Sequence, residues 1–178
     1  MCGFVYNQVA TKESGRMHQD VILRAVCHEE LPRVLAVENA SFSDPWPIEV
    51  FEAELRHSWS RCVVIEEVAT HEILGHAVYW VVADEIHLLN IAVHPDVRGR
   101  KLGRRLLGHV LQEARSYRAR FITVEVRASN EAARHLYDKA GFTQVGLRPR
   151  YYASDGEDAV IMLYDLGSDT GNVAALKP

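Results

Sequence analysis

The sequence predicts a mixed α/β domain, an α+β mixed sheet with helices packed on it, in the element order β-α-α-β-β-β-α-β-α-β-β. Three observations carry that expectation. Three β-rich runs separated by short polar turns fall between Cys62 and Val93, the pattern of an antiparallel meander. Leu102, Leu106, Leu107, Val110, Leu111 and Ala114 then recur at helical spacing. That helix stands between two strand patterns, so it is expected to be the crossover joining two parallel neighbours.

Taken in order, residues 1–19 are polar and lack periodicity, which predicts a flexible N-terminal extension with Met17 as an alternative start. Val21 to Val26 alternates as a strand. Leu31, Val34, Leu35 and Val37, with Glu29 and Glu30 ahead of them, form a short amphipathic helix. Pro45 and Pro47 around Trp46 interrupt the chain before a second helix over Ile48 to Leu55. Strands over Cys62 to Val68, Ile73 to Val82 and Ile86 to Val93 make the meander, and the long helix runs to about Tyr117. Phe121 to Val126 is a further strand, and Asn130 to Ala140 a helix that Gly141 stops. Strands over Thr143 to Arg148 and Ala159 to Tyr164 flank a YYASDGED turn, and residues 167–178 form a flexible tail. One folded domain over residues 20–166 is expected, with neither repeat nor linker.

With 178 residues, 48% of them hydrophobic, the chain can bury a sizeable core. It contains no apolar run of membrane-spanning length and no basic-then-apolar start, so a cytoplasmic protein without a membrane partner is expected. Cys2, Cys27 and Cys62 lie far apart without a CxxC pair, a poor framework for disulfides or zinc. HEILGH at His71 to His76 is one residue too long for HExxH and reads as a turn entering a strand, so no metal is expected. The formal charge of -4 argues against direct nucleic-acid binding.

The charge is uneven, however. Five of the twenty Lys and Arg residues fall in RGRKLGRR, residues 98–105, which contains no acid. Gly99 and Gly103 let the backbone turn closely, and the helix starting near Leu102 presents unpaired N–H groups and its positive dipole end. Strand, basic glycine loop and helix together can hold phosphates. Neither GxxxxGK[ST] nor GxGxxG is present, which disfavours a nucleoside triphosphate or a dinucleotide.

LNIAVHPDVRGRKLGRRLL resembles the acyl-CoA signature of the GNAT acetyltransferase superfamily, Q/R-x-x-G-x-G/A, with Arg98 in first place and Gly103 in last. The middle glycine is Lys101, a departure that strains the chain if that position needs a positive φ. VEVRASNEAARHLYDKAGF (Val124 to Phe142) is similar to the second coenzyme segment of the family. FSDPWPIEVF (Phe42 to Phe51) and YYASDGEDAVIM (Tyr151 to Met162) resemble its RimI type, which acetylates protein N-termini. The resemblance covers about residues 20–165. It implies the GNAT acyl-CoA N-acyltransferase fold, with two parallel strands that splay apart around the coenzyme.

It also implies roles. The backbone of Ile91, Ala92 and Val93 would pair with the pantetheine arm of acetyl-CoA; Arg98, Gly99, Arg100, Lys101, Leu102, Gly103 and Arg104 would take the pyrophosphate. Asn130 matches a coenzyme-contacting position, although its pattern is that of a helix N-cap. Glu125 matches the general base and Tyr137 the acid that protonates the departing thiolate, while alternation alone makes Glu125 a solvent-facing strand residue and helical spacing makes Tyr137 a core residue. His87 matches a histidine of archaeal N-terminal acetyltransferases. With Trp46 and Tyr151 it is expected at the acceptor, with Tyr152 completing the wall and Glu49 or Asp158 available to the ammonium. The expected partner is a protein N-terminus, a ribosomal protein among the candidates. The alternatives are a GNAT acting on a small amine or lysine side chain, which the YY…ED turn argues against, and a non-catalytic acyl-CoA-binding module, which the presence of both Glu125 and Tyr137 argues against.

Overall fold

β-Branched and aromatic residues at alternate positions make the predicted runs into strands. The computed structural model describes residues 5–6 and 20–167 and contains eight of them. They are β1 (Val5–Tyr6), β2 (Val21–Ala25), β3 (Ser60–Glu67), β4 (Ile73–Val82), β5 (Glu85–Val93), β6 (Phe121–Arg127), β7 (Thr143–Tyr152) and β8 (Glu157–Asp165). The helices are α1 (Leu31–Ser41), α2 (Ile48–Arg56), α3 (Leu102–Ser116) and α4 (Glu131–Ala140). From β2 onward the predicted order is the observed one.

Three differences have physical reasons. β1 is additional: its backbone pairs antiparallel with β2, Val5 opposite Arg24 and Tyr6 opposite Leu23, a ladder that a polar segment does not announce. The rest of the expected extension, Cys2 and Met17 included, lies outside the described residues, as does the tail beyond Gly167. α1 runs on past Val37 to Ser41, because its last turn buries a polar residue, Glu38, which an apolar count passes over. The β7–β8 turn is shorter than predicted. Arg127 binds Asp155 at 2.8 Å and Glu157 at 3.0 Å and draws the hairpin closed around Gly156, at φ 72°.

The chain forms two compact units. Among the described residues, one takes those up to Val78 together with Asn90–His109; the other takes Tyr79–Leu89 and those from Val110. β4, β5 and α3 each run through both.

In the first unit the strand order is β1-β2-β3-β4-β5, and the short connections between β3, β4 and β5 can join only antiparallel neighbours. Leu31, Val34 and Val37 of α1, Phe51 of α2 and Leu106 and Leu107 of α3 are buried with Val63, Val64 and Ile65 of β3. Arg24 ties β2 to the start of α1 and to β3, binding Glu30 at 2.6 Å and also Glu66. The Glu30 carboxylate, with its hydrogen bonds, holds the guanidinium well above its usual range. Cys62 is buried, and desolvation pushes its thiol up to about 12, which disfavours the thiolate.

In the second unit β5 pairs parallel with β6, Glu85 opposite Phe121 through Leu88 opposite Val124. β6 pairs antiparallel with β8 along its whole length, from Phe121 opposite Asp165 to Arg127 opposite Ala159, and β7 is the edge strand beyond β8. α4 closes this core with a ring ladder in which Phe142 lies 5.4 Å from both Tyr137 and Tyr164. Gly141 ends the helix in the left-handed conformation, φ 99°. Among the described residues no helix is long and apolar enough to cross a membrane.

Gly75 tests the packing of β4 on β5. A Cβ there would stand 2.5 Å from the Ala92 carbonyl oxygen, a backbone atom that cannot step aside. Gly75→Ala is expected to lower the unfolding free energy by about 1–3 kcal/mol in urea titrations.

Candidate active site

In the first unit the chemistry-bearing backbone starts where β5 loses a neighbour. Its ladder to β6 stops at Leu88, so from Leu89 to Val93 the strand is bordered in the sheet by β4 alone. Ala92 is buried, while Ile91 and Val93 are half-buried on the opposite face. The Val93 carbonyl accepts hydrogen bonds from Ser41 Oγ at 3.3 Å and from Arg98 Nε at 3.2 Å. A single turn of 3-10 helix, Pro95–Val97, then leads into the basic loop.

The loop is built from two left-handed residues. Gly99 has φ 81° and Lys101 has φ 61°. The positive φ raised by the sequence departure at Lys101 is therefore real, and a lysine adopts it at a cost of about 1 kcal/mol. Lys101 also caps α3, its carbonyl accepting from Arg105 N at 3.1 Å. Leu102 is buried and anchors the helix start, and Gly103 lies in the first turn. The first N–H groups of a helix have no intrahelical partner, and Arg98, Arg100, Lys101 and Arg104, next to them in the chain, are exposed. Loop, dipole and cations suit a phosphate-bearing ligand.

Trp46 lies in the segment between α1 and α2, half-buried, its ring 5.6 Å from that of Phe51. Its backbone N–H donates to Glu38 Oε1 at 2.9 Å. Glu49 is exposed in the first turn of α2. A cleft of about 410 Å³ in this unit, bordered by Arg33, Glu72, His94 and Asp96, contains none of the predicted site residues.

The second unit gathers titratable groups on β6 and its neighbours. Glu125 is half-buried, its Oε1 3.1 Å from Arg148 Nη1. The Tyr151 hydroxyl hydrogen-bonds the same carboxylate, which raises this phenol above its ordinary value. Arg148 also lies over the Tyr151 ring, 5.5 Å from its centroid. Two residues along β6, Arg127 stacks 3.9 Å over Tyr152 while it clamps the β7–β8 turn. Asp158 accepts from Arg150 N at 2.8 Å.

His87 uses both ring nitrogens. Nδ1 is 2.9 Å from Thr123 Oγ1, its register partner on β6, and Nε2 is 3.1 Å from Glu85. Asn130 is the N-cap of α4, its side chain accepting from Ala133 N at 3.1 Å. Tyr137 is 2% exposed, and burial followed by the neighbouring Tyr152 pushes its phenol well above the usual value. It is a protonated donor throughout the ordinary pH range.

The structure thus brings Tyr151 to Glu125 directly. It adds groups that the sequence did not nominate: Arg148 on Glu125, Thr123 and Glu85 on His87, and Glu38 under Trp46. Arg148 reaches Glu125 across a β7 register broken between Gln144 and Gly146, and no periodicity encodes a bulge. Among the described residues no three His, Cys, Asp or Glu side chains are grouped to hold a metal ion.

Comparison with known proteins identifies the family. Residues 31–142 match the profile of the acetyltransferase (GNAT) family. The [ribosomal protein bS18]-alanine N-acetyltransferase of Salmonella typhimurium is 36% identical over 135 residues, 75% of this chain and 89% of that protein. The N-alpha-acetyltransferase RimI of Mycobacterium tuberculosis is 34% identical over 155 residues, 84% of this chain and 95% of its own. The crystal structure of the ribosomal-protein-S18-alanine N-acetyltransferase from Escherichia coli superposes with a TM-score of 0.76 at 29% identity, over 89% of this chain and 99% of that one.

Strain and charge at Lys101 can be separated. Lys101→Ala keeps the left-handed strain and loses the charge, whereas Lys101→Gly loses both. The glycine variant is expected to be more stable than the alanine variant by about 1 kcal/mol in denaturant titrations, and both should bind a phosphate-bearing ligand more weakly than the parent.

Proposed function

This chain belongs to the acetyltransferase (GNAT) family and is an acetyltransferase, and on that premise we propose that it moves acetyl from acetyl-CoA to the free α-amine of a protein N-terminus, with a ribosomal protein as the first candidate. The observation that supports this reading is the presence in one unit of Glu125, a half-buried carboxylate held by Tyr151 and Arg148, and of a buried Tyr137 whose phenol burial keeps protonated. The names of the relatives support the acceptor class, and the fold of the basic loop supports the donor.

In this reading the phosphates lie on the N–H groups and cations of Gly99 to Arg104. The one-sided stretch Ile91 to Val93 offers backbone groups to the pantetheine arm, as an added strand would. Acetyl-CoA supplies the activated acyl group as a thioester. Glu125 takes a proton from the incoming ammonium, a modest task because an α-amine titrates at about 7.7 to 8.0. The amine nitrogen then bonds to the acyl carbon, and the carbon–sulfur bond breaks as the Tyr137 hydroxyl delivers a proton to the departing sulfur. The second proton lost by the nitrogen restores the Tyr137 hydroxyl through solvent, while Glu125 returns its own proton to water. Arg148 holds the carboxylate that the ammonium must reach, so acceptor binding displaces it. Trp46, His87 and Tyr151 contact the acceptor.

The two groups separate by pH. Glu125→Gln is expected to lower kcat/KM by roughly 10²- to 10⁴-fold at neutral pH, with a smaller loss above about pH 8, where solvent has already deprotonated the amine. Tyr137→Phe should lower turnover while acetyl-CoA binding survives. Because burial raises that phenol, the parent rate should stay flat on the alkaline side up to about pH 10, the ordinary phenol value. If both variants turn over like the parent, positioning of a neutral amine against the thioester replaces this mechanism.

The acceptor class is read by mass spectrometry. A peptide with a free N-terminal alanine should gain acetyl much faster than the same peptide with a blocked N-terminus and an internal lysine. Label found mainly on lysine side chains would overturn the N-terminal assignment.

A further inference from the structure

Glu38 takes no part in the proton transfers above, yet its side chain is 1% exposed. A carboxylate is seldom buried so far unless its oxygens are engaged. Oε1 accepts two hydrogen bonds, from the Trp46 backbone N–H at 2.9 Å and from the Asn90 side-chain amide at 3.0 Å. Oε2 lies 3.0 Å from Nε2 of His76, itself 1% exposed, close enough for an ion pair though without the alignment of a hydrogen bond. The Phe51 ring stands edge-on to His76 at 5.5 Å and carries the Trp46 ring at 5.6 Å. These contacts close on themselves. Glu38 holds the backbone of Trp46, Phe51 holds its ring, and His76 stands against both Phe51 and Glu38.

The sequence makes this bond hard to replace. In Pro45-Trp46-Pro47 both flanking residues lack an N–H, so the Trp46 N–H is the sole backbone donor over three residues. One acceptor at one point fixes the segment. The same oxygen is bonded to Asn90, the residue immediately before Ile91 to Val93, so a single atom references the Trp46 segment to the strand that the preceding reading gives to the thioester arm.

We propose that Glu38 is a positioning residue for acceptor selection: it sets Trp46 in place against β5, so that the acceptor amine meets a preformed wall. The proposal rests on the reading that Trp46 contacts the acceptor. A merely architectural Glu38 would behave otherwise, its loss lowering stability and impairing both substrates together.

Four variants of the full chain decide it, with KM measured separately for an alanine-initiated peptide and for acetyl-CoA, alongside thermal unfolding. Glu38→Met removes the acceptor atom with little change in volume. It should raise the peptide KM about tenfold, the scale of one buried hydrogen bond, and leave the acetyl-CoA KM within about twofold. Glu38→Gln keeps an oxygen for Trp46 and should restore the peptide KM to within about twofold of the parent. Phe51→Leu keeps apolar volume but removes the seat of the Trp46 ring; its peptide KM should rise with no matching rise for acetyl-CoA, which carries the test if Glu38→Met does not fold. Trp46→Ala identifies which idea fails. If it raises the peptide KM while the Glu38→Met and Phe51→Leu variants that fold do not, the positioning role is overturned and the acceptor wall stands. If it leaves the peptide KM unchanged, the acceptor wall falls and this proposal with it. Equal increases in both KM values, with Glu38→Gln no better than Glu38→Met, also overturn the proposal in favour of a structural role.

Discussion

The short parallel ladder between β5 and β6 is the constraint from which the rest follows. Parallel neighbours cannot be joined by a tight turn, so the chain must leave the end of β5, cross over and return to the start of β6. α3 is that crossover, so the basic loop and the N-terminal amides of α3 follow the end of β5 after a single 3-10 turn. The ladder is four residue pairs long. Beyond it β5 keeps a neighbour on one side only, and peptide groups that a longer ladder would have consumed are left for other partners.

Charge is managed in two ways. The first concentrates cations at a helix start and accepts left-handed strain at Lys101 in the process, a conformation glycine would adopt freely. Strain of about 1 kcal/mol is tolerable where the residue also contributes a charge for a ligand. Around β6, as around Arg24 in the first unit, ionisable groups are paired. Glu125 has Arg148, His87 has Glu85, and Arg127 has Asp155 and Glu157. Such pairing gives half-buried polar groups partners in place of water.

Tyr137 is governed by packing. Its ring belongs to the ladder with Phe142 and Tyr164, and the burial that fills the core is the burial that keeps its hydroxyl protonated. Asn130 similarly spends its side-chain oxygen on the first turn of α4, the capping pattern that its place before Glu131 suggests.

Local chemistry was legible in the sequence because it depends on neighbours in the chain. The periods of the strands and helices, the crossover, the glycine stop of α4 and the cationic loop are all short-range patterns, and from β2 to β8 they determined the element order. The sequence also raised the question of φ at Lys101, since a glycine signature with a lysine in it is visible without coordinates. It could not decide the partners that arise across strands. Arg148 meets Glu125 only after the chain has passed through β7 with a register shift, and a one-residue slip there would send the side chain to the other face. Glu38 looked like a polar residue past the end of an apolar helix. Only the tertiary structure, by bringing Trp46, His76 and Asn90 around it, decided that it is buried: what a carboxylate does depends on which donors stand within about 3 Å, and those donors come from residues 8 to 52 positions away.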